Sequence, residues 1–159
     1  MYYLNWDSLS GSLSTVISNR WGDLFLIYFL VMEYSISSSN LINMKTFFLF
    51  LGELTKSSQF PFFGWLVKAM VAPTPVSSLV HSSTLVVSGC FLMFVFFERY
   101  SNFMMLSLMM VSLGGLMISF MLSLVEDDFK KLIAWSTMSQ VSLIFLFFSF
   151  GWFFYSFFY

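Results

Sequence analysis

The sequence predicts an all-α, polytopic transmembrane helix bundle of about five spans, one of them discontinuous. Three observations lead there. Hydrophobic residues make up 58% of the 159 positions and charged residues only 9%. Ordinary soluble domains carry about 25% charged residues, so this chain cannot cover a water-facing surface. The apolar residues also fall in helix-length blocks, close to the ~20 residues that a bilayer-spanning helix needs. Finally, Pro61 stands inside the second block.

In chain order, Met1–Asn19 is mixed and Ser-rich. It reads as an interfacial or loop segment with a short amphipathic helix. It lacks a basic n-region and a small-residue cleavage site, so it does not read as a signal peptide. The first span is expected over about Trp21–Ser37, with Ser35–Asn40 as a polar connector. The second starts near Leu41 and breaks around Ser57–Pro61. Proline has no N–H to donate, and its ring clashes with the preceding turn. A second half follows over about Phe62–Val71. Such a break is tolerated at membrane depth only where protein or water satisfies the freed backbone groups. Ala72–Pro75 is a turn, and Pro75 suits the first helical position, where an N–H would be unpaired anyway.

The third span runs over about Pro75–Phe97, and Glu98–Asn102 is a short loop. The fourth covers Phe103–Val125, where Gly114 and Gly115 permit close helix contact. Glu126–Asp128 caps the start of the fifth, Phe129–Phe150, and Gly151–Tyr159 is aromatic and too short for another span. Residues 1–159 therefore form a single transmembrane region. Basic residues occur in several short loops, which leaves orientation open.

Composition excludes several functions. A net charge of −1 gives no electrostatic case for nucleic acid. Cys90 is the only cysteine, so no intrachain disulfide can form, and it reads as a small buried hydrophobe. One cysteine and one histidine make no metal constellation, and iron–sulfur clusters call for more thiolates. There is no Gly-rich phosphate loop, catalytic triad or paired-carboxylate site. No cofactor is expected in this chain.

Candidate chemistry lies in ionisable groups placed within apolar segments. Such groups cost roughly 2.5–3.5 kcal/mol on insertion scales and usually face a protein interior or a water-filled path. Lys56 ends the first half of the broken span. Desolvation disfavours its ammonium, which suits a proton carrier; alternatively its stem snorkels to the headgroups. Glu53, three residues earlier on the same helix face, could pair with it. His81 lies among Ser77, Ser78, Ser82, Ser83 and Thr84. It is either a proton relay, since imidazole titrates near neutrality, or a satisfied buried histidine. Gly89 on the same segment lets neighbouring helices approach. Lys68 is a second relay group or an interfacial anchor. Glu33 ends an apolar run and reads as interfacial.

Four motifs add a resemblance: Asn19–Asp23, Lys56–Gln59, Ala72–Val86 and Asp128–Gln140. In order and spacing they resemble the chain 5 family of NADH:ubiquinone oxidoreductase, the antiporter-like membrane subunits of respiratory complex I. The run Ala72-Pro73-Thr74-Pro75-Val76-Ser77 followed by Leu79-Val80-His81-Ser82-Ser83-Thr84 is the most specific part. The resemblance covers about Asn19–Leu146. It implies a proton-translocating subunit of the mitochondrial inner membrane, coupled to quinone reduction elsewhere in the complex. It implies other membrane-arm subunits and lipid as partners, and membership of an NADH:ubiquinone reductase without redox chemistry in this chain.

The resemblance also implies that Lys56 and His81 belong to a hydrated proton path at mid-membrane, with Lys68 and Glu53 as lesser candidates. Two positions depart from the family pattern: Val67 stands where proline is usual, and Glu53 where an uncharged residue is usual. The family protein is several times longer and holds two inverted five-helix repeats. This stretch is expected to be the end of the first repeat and the start of the second, as a fragment or as one piece of a split subunit. The same lysine and histidine motifs occur in multi-subunit sodium/proton antiporters, which is one alternative. A non-pumping membrane-arm scaffold is another.

Overall fold

The computed structural model describes residues 5–35, 42–79, 84–96, 100 and 102–158. Among these residues every regular element is helical. The elements are α1 (Trp6–Ser35), α2 (Ile42–Lys56), α3 (Gly64–Ala69), α4 (Thr74–Leu79), α5 (Leu85–Val95), α6 (Asn102–Val125) and α7 (Phe129–Phe158).

The amino-terminal expectation needs correcting. The Ser-rich stretch is not a loop; it is the first half of α1, which starts at Trp6 rather than near Trp21. The serines read as polar, but each hydroxyl is spent within the helix. Ser10, Ser12, Ser14, Thr15 and Ser18 donate to the carbonyls of Asp7, Leu9, Gly11, Ser12 and Thr15, three residues back. Such back-bonding hides a hydroxyl in an apolar setting at little cost to the helix. The start is capped reciprocally: Asn5 N–H donates to Ser8 Oγ, and Ser8 Oγ–H donates to the Asn5 carbonyl. The last helix is also longer than expected and runs on to Phe158 rather than ending at Phe150. A single glycine such as Gly151 costs a helix only about 1 kcal/mol relative to alanine.

The interruption after α2 falls where expected, but proline does not make it. Gln59 N–H donates to the Leu54 carbonyl at 3.0 Å and Ser58 N–H to the Thr55 carbonyl at 3.4 Å. Ser58 sits at φ 52°. This is a Schellman stop, with a residue in the left-handed region just past the helix end. Glycine usually fills that place, and a side chain there costs roughly 1–2 kcal/mol. Pro61 follows the stop and prevents the helix from resuming at once. The second half, Gly64–Ala69, is shorter than the expected Phe62–Val71.

α1 packs on α2 and α3, α2 on α5, and α6 along α7; α3 and α5 then lean on α7, and α2 on α6. The α1–α2 pair is antiparallel: Asp23 meets Lys56, whereas Glu33 meets Lys45 at the other end, at 3.7 Å. The core includes Phe29, Leu49, Leu66, Met93, Met105, Leu108, Met138 and Phe145. Edge-to-face contact between Phe29 and Phe96, with centroids 5.3 Å apart, joins α1 to the residue just past α5.

The surface reverses the pattern of a water-soluble protein. Phe103, Met117, Leu124 and Val125 are exposed, while Thr55, Ser57, Ser58, Gln59, Ser112, Ser119, Ser142 and Ser149 are buried. Asn102–Val125 and Phe129–Gly151 are long and apolar enough to cross a membrane.

Candidate functional site

The polar interior gathers at the carboxyl end of α2. Two close approaches build it. Gly22 on α1 faces Thr55, and a methyl there would collide with the Thr55 hydroxyl. Without that methyl, α1 comes near enough for the next residue, Asp23, to reach Lys56. Lys56 Nζ donates to Asp23 Oδ1 at 2.5 Å. Arg20 Nη1 stands 3.7 Å from the other carboxylate oxygen. The Lys56 side chain is 18% exposed and that of Asp23 37%, so the pair is shielded more on the lysine side.

On the opposite side Gly89 on α5 meets the helix stop. A methyl on Gly89 would lie 2.8 Å from both Ser57 N and Ser57 Cβ. The expectation that Gly89 lets helices approach is thus met at the break itself. Ser57 Oγ–H donates to the Glu53 carbonyl at 2.7 Å and Ser58 Oγ–H to the Ser57 carbonyl at 2.7 Å. The break is therefore satisfied largely by its own hydroxyls and by the Schellman bonds, as membrane burial demands. Gln59 is fully buried, and among the described residues neither amide atom has a hydrogen-bond partner. Its Oε1 points at Gly115 of α6, 2.8 Å from where a methyl would stand, beside Ser142 of α7. The amide therefore presents its polar atoms to the α6–α7 seam.

The expected Glu53–Lys56 pairing is corrected. Lys56 turns to α1 and Asp23, while Glu53, 1% exposed, accepts from the Tyr100 hydroxyl at Oε2. The i, i+3 spacing allows the two side chains to meet, but each finds a better partner off the helix. Lys68 stays apart from the pair. It is exposed and lines a cavity of about 240 Å³ with Gly11, Asn19, Trp65 and Ser77. Glu33 forms its ion pair with Lys45. At the start of α7, Lys131 bridges Asp128 at 2.9 Å and Glu126 at 3.5 Å, while Lys130 Nζ reaches the Ala72 carbonyl at 3.3 Å. His81 lies outside the described residues.

Two residues escaped the sequence reading. Asp23 was visible only as part of a motif, although an ionisable group in an apolar span was the very criterion that singled out Lys56. Tyr100 fell in a loop, where nothing in the sequence marks a buried hydrogen bond.

The whole chain, residues 1–159, matches the family model described as NADH:quinone oxidoreductase/Mrp antiporter, TM. NADH-ubiquinone oxidoreductase chain 5 of Ascaris suum is 46% identical over 147 residues, covering 89% of this chain and 27% of that protein. The same-named protein of Caenorhabditis elegans is 44% identical over 147 residues, covering 89% of this chain and 28% of its own length. The chain thus spans about a quarter of the length of the curated relatives it matches. A solved structure of the Mrp complex from Dietzia sp. DQ12-45-1b has a TM-score of 0.83 over 93% of this chain and 18% of that one. At 23% identity this likeness is one of fold alone. Helical architecture, a family match over every residue and chain 5 relatives above 40% identity agree: the chain belongs to the NADH:quinone oxidoreductase/Mrp antiporter transmembrane family.

Proposed function

We propose that the chain is part of a proton-translocating membrane subunit of NADH:ubiquinone oxidoreductase, resident in the mitochondrial inner membrane. The observation that carries this reading is the Lys56–Asp23 pair, held within an apolar bundle where α2 stops. An ion pair in such a place costs desolvation energy that a purely structural contact does not require, and intramembrane ionisable groups mark ion and proton pathways.

In this reading the chain crosses the membrane about five times. The passes are α1, the discontinuous α2–α3, α4–α5, α6 and α7. Lys56 carries the proton. Asp23 holds the ammonium between transfers and releases it when the local charge balance changes. His81 continues the path, and Lys68 stands at its edge. The chain carries no redox centre or cofactor; electron transfer to quinone belongs to partner subunits, and the protein contributes to the reductase as its proton-moving part. The partners are other membrane-arm subunits and lipid.

The test is Lys56→Met in the full-length subunit within its complex. NADH-driven proton pumping should fall while NADH oxidation by an artificial acceptor persists. Normal pumping would reject the role and leave a scaffold. The family model also takes in Mrp antiporter chains, which supports one second reading, a subunit of a multi-subunit sodium/proton antiporter. Cation exchange in vesicles without NADH would select it.

A further inference from the structure

Glu53 is a buried acid that the Lys56–Asp23 pair does not use. It sits one helical turn before Lys56, yet its carboxyl faces Tyr100 instead of the lysine. Among the described residues, Oε1 is buried with no hydrogen-bond partner. The charged groups around it are engaged elsewhere. On α1, Asp23 and Arg20 are committed to one another and to Lys56, and Glu33 to Lys45. On α5, Cys90 is a half-buried free thiol and supplies no cation. α6 carries no charged side chain. Glu98 and Arg99 lie outside the described residues.

Among the described residues, then, Glu53 has a hydroxyl donor and no cation. A buried carboxylate without a countercharge is costly, and one phenolic hydrogen bond offsets only part of that cost. A proton on Oε1 removes the cost outright and leaves Oε2 as the carbonyl acceptor for Tyr100.

We propose that Glu53 and Tyr100 form a second proton-binding site, in which Glu53 waits as the neutral acid and supplies Lys56. The transfer balances simply. When Lys56 has passed its proton onward it is a neutral amine. The O–H bond at Glu53 Oε1 breaks, a new N–H bond forms at Lys56 Nζ, and a carboxylate and an ammonium result one turn apart on α2. That spacing is the favourable one for an acid preceding a base on a helix. A hydronium ion from the aqueous side then gives its excess proton to the carboxylate and is left as water, which restores the neutral acid. The transfer step rests on the function proposed above; the resting protonation of Glu53 does not.

Infrared spectroscopy of the assembled complex separates the two. Wild type at neutral pH should show a protonated-carboxyl C=O band that Glu53→Gln removes. Tyr100→Phe should keep the band and move it to higher frequency, because Oε2 loses its donor. Glu53→Gln should also lower the NADH-driven pumping rate by roughly tenfold, less than the ~100-fold of an indispensable proton donor, because water can substitute. No lost band in Glu53→Gln means an ionised carboxylate and overturns the proposal. A lost band with unchanged pumping overturns the supply role. If Glu53→Gln does not assemble, the Tyr100→Phe spectrum decides, and an unshifted carboxyl band overturns the site. Normal pumping in Lys56→Met defeats the broader reading without touching the Glu53 band.

Discussion

The Lys56–Asp23 contact should be measurable as a coupling energy of about 1–2 kcal/mol, between the ranges for exposed and buried ion pairs. The perturbation is a double-mutant cycle with Asp23→Asn and Lys56→Met. Two unit charges 2.5 Å apart at an effective dielectric near 20 attract by roughly 6–7 kcal/mol. Two features reduce the net value. Asp23 is 37% exposed, so its carboxylate keeps part of its hydration and the attraction is screened. Arg20 stands 3.7 Å from the same carboxylate, so losing Lys56 does not leave Asp23 unpaired. The expected coupling therefore exceeds the ~0.2–1 kcal/mol of exposed pairs and falls short of the ~3–5 kcal/mol lost on orphaning a buried charge. The assay is reversible unfolding of the full-length subunit in mixed micelles, with both single variants and the double. A coupling below ~0.3 kcal/mol, the scatter of independent sites, would show that the two side chains do not interact and would refute the placement of α1 against α2.

Packing against the helix stop gives two further expectations. Gly89→Ala drives a methyl to 2.8 Å from Ser57 backbone and should cost about 1–3 kcal/mol through overpacking; Gly114→Ala, with open space around it, should be neutral or raise stability by up to ~1 kcal/mol. Equal thermal shifts for the two would sink the contact. Leu66→Ala empties a fully buried position on α3 and should cost about 2–5 kcal/mol, read as a lower unfolding midpoint; a loss under ~1 kcal/mol would mean that α3 is not seated in the core.

Much of the architecture was legible because hydrophobic blocks of spanning length are a one-dimensional signal. The limits of α6 match the expected fourth span almost residue for residue. The break near Ser57 was legible too, although the agent was misread: proline is conspicuous in a sequence, whereas a serine in the left-handed region at Ser58 is not. The first half of α1 was misjudged because serine counts as polar by composition. Its hydroxyl becomes inert once it bonds a carbonyl one turn back.

The sequence by itself determined the membrane class, the order of the helices, the interruption after Lys56 and the family. Those depend on hydropathy, the local Lys56–Pro61 stretch and contiguous motifs, all local along the chain. Only the tertiary structure decided which charge meets which. Lys56 had an acid three residues away and took one thirty-three residues away, because Gly22 lets α1 close onto α2 at that level. Glu53, free of the lysine, turned to Tyr100, forty-seven residues on. Side-chain pairing in a low-dielectric interior is set by distances of a few ångströms between helices, and those distances arise from packing, which no single stretch of sequence encodes.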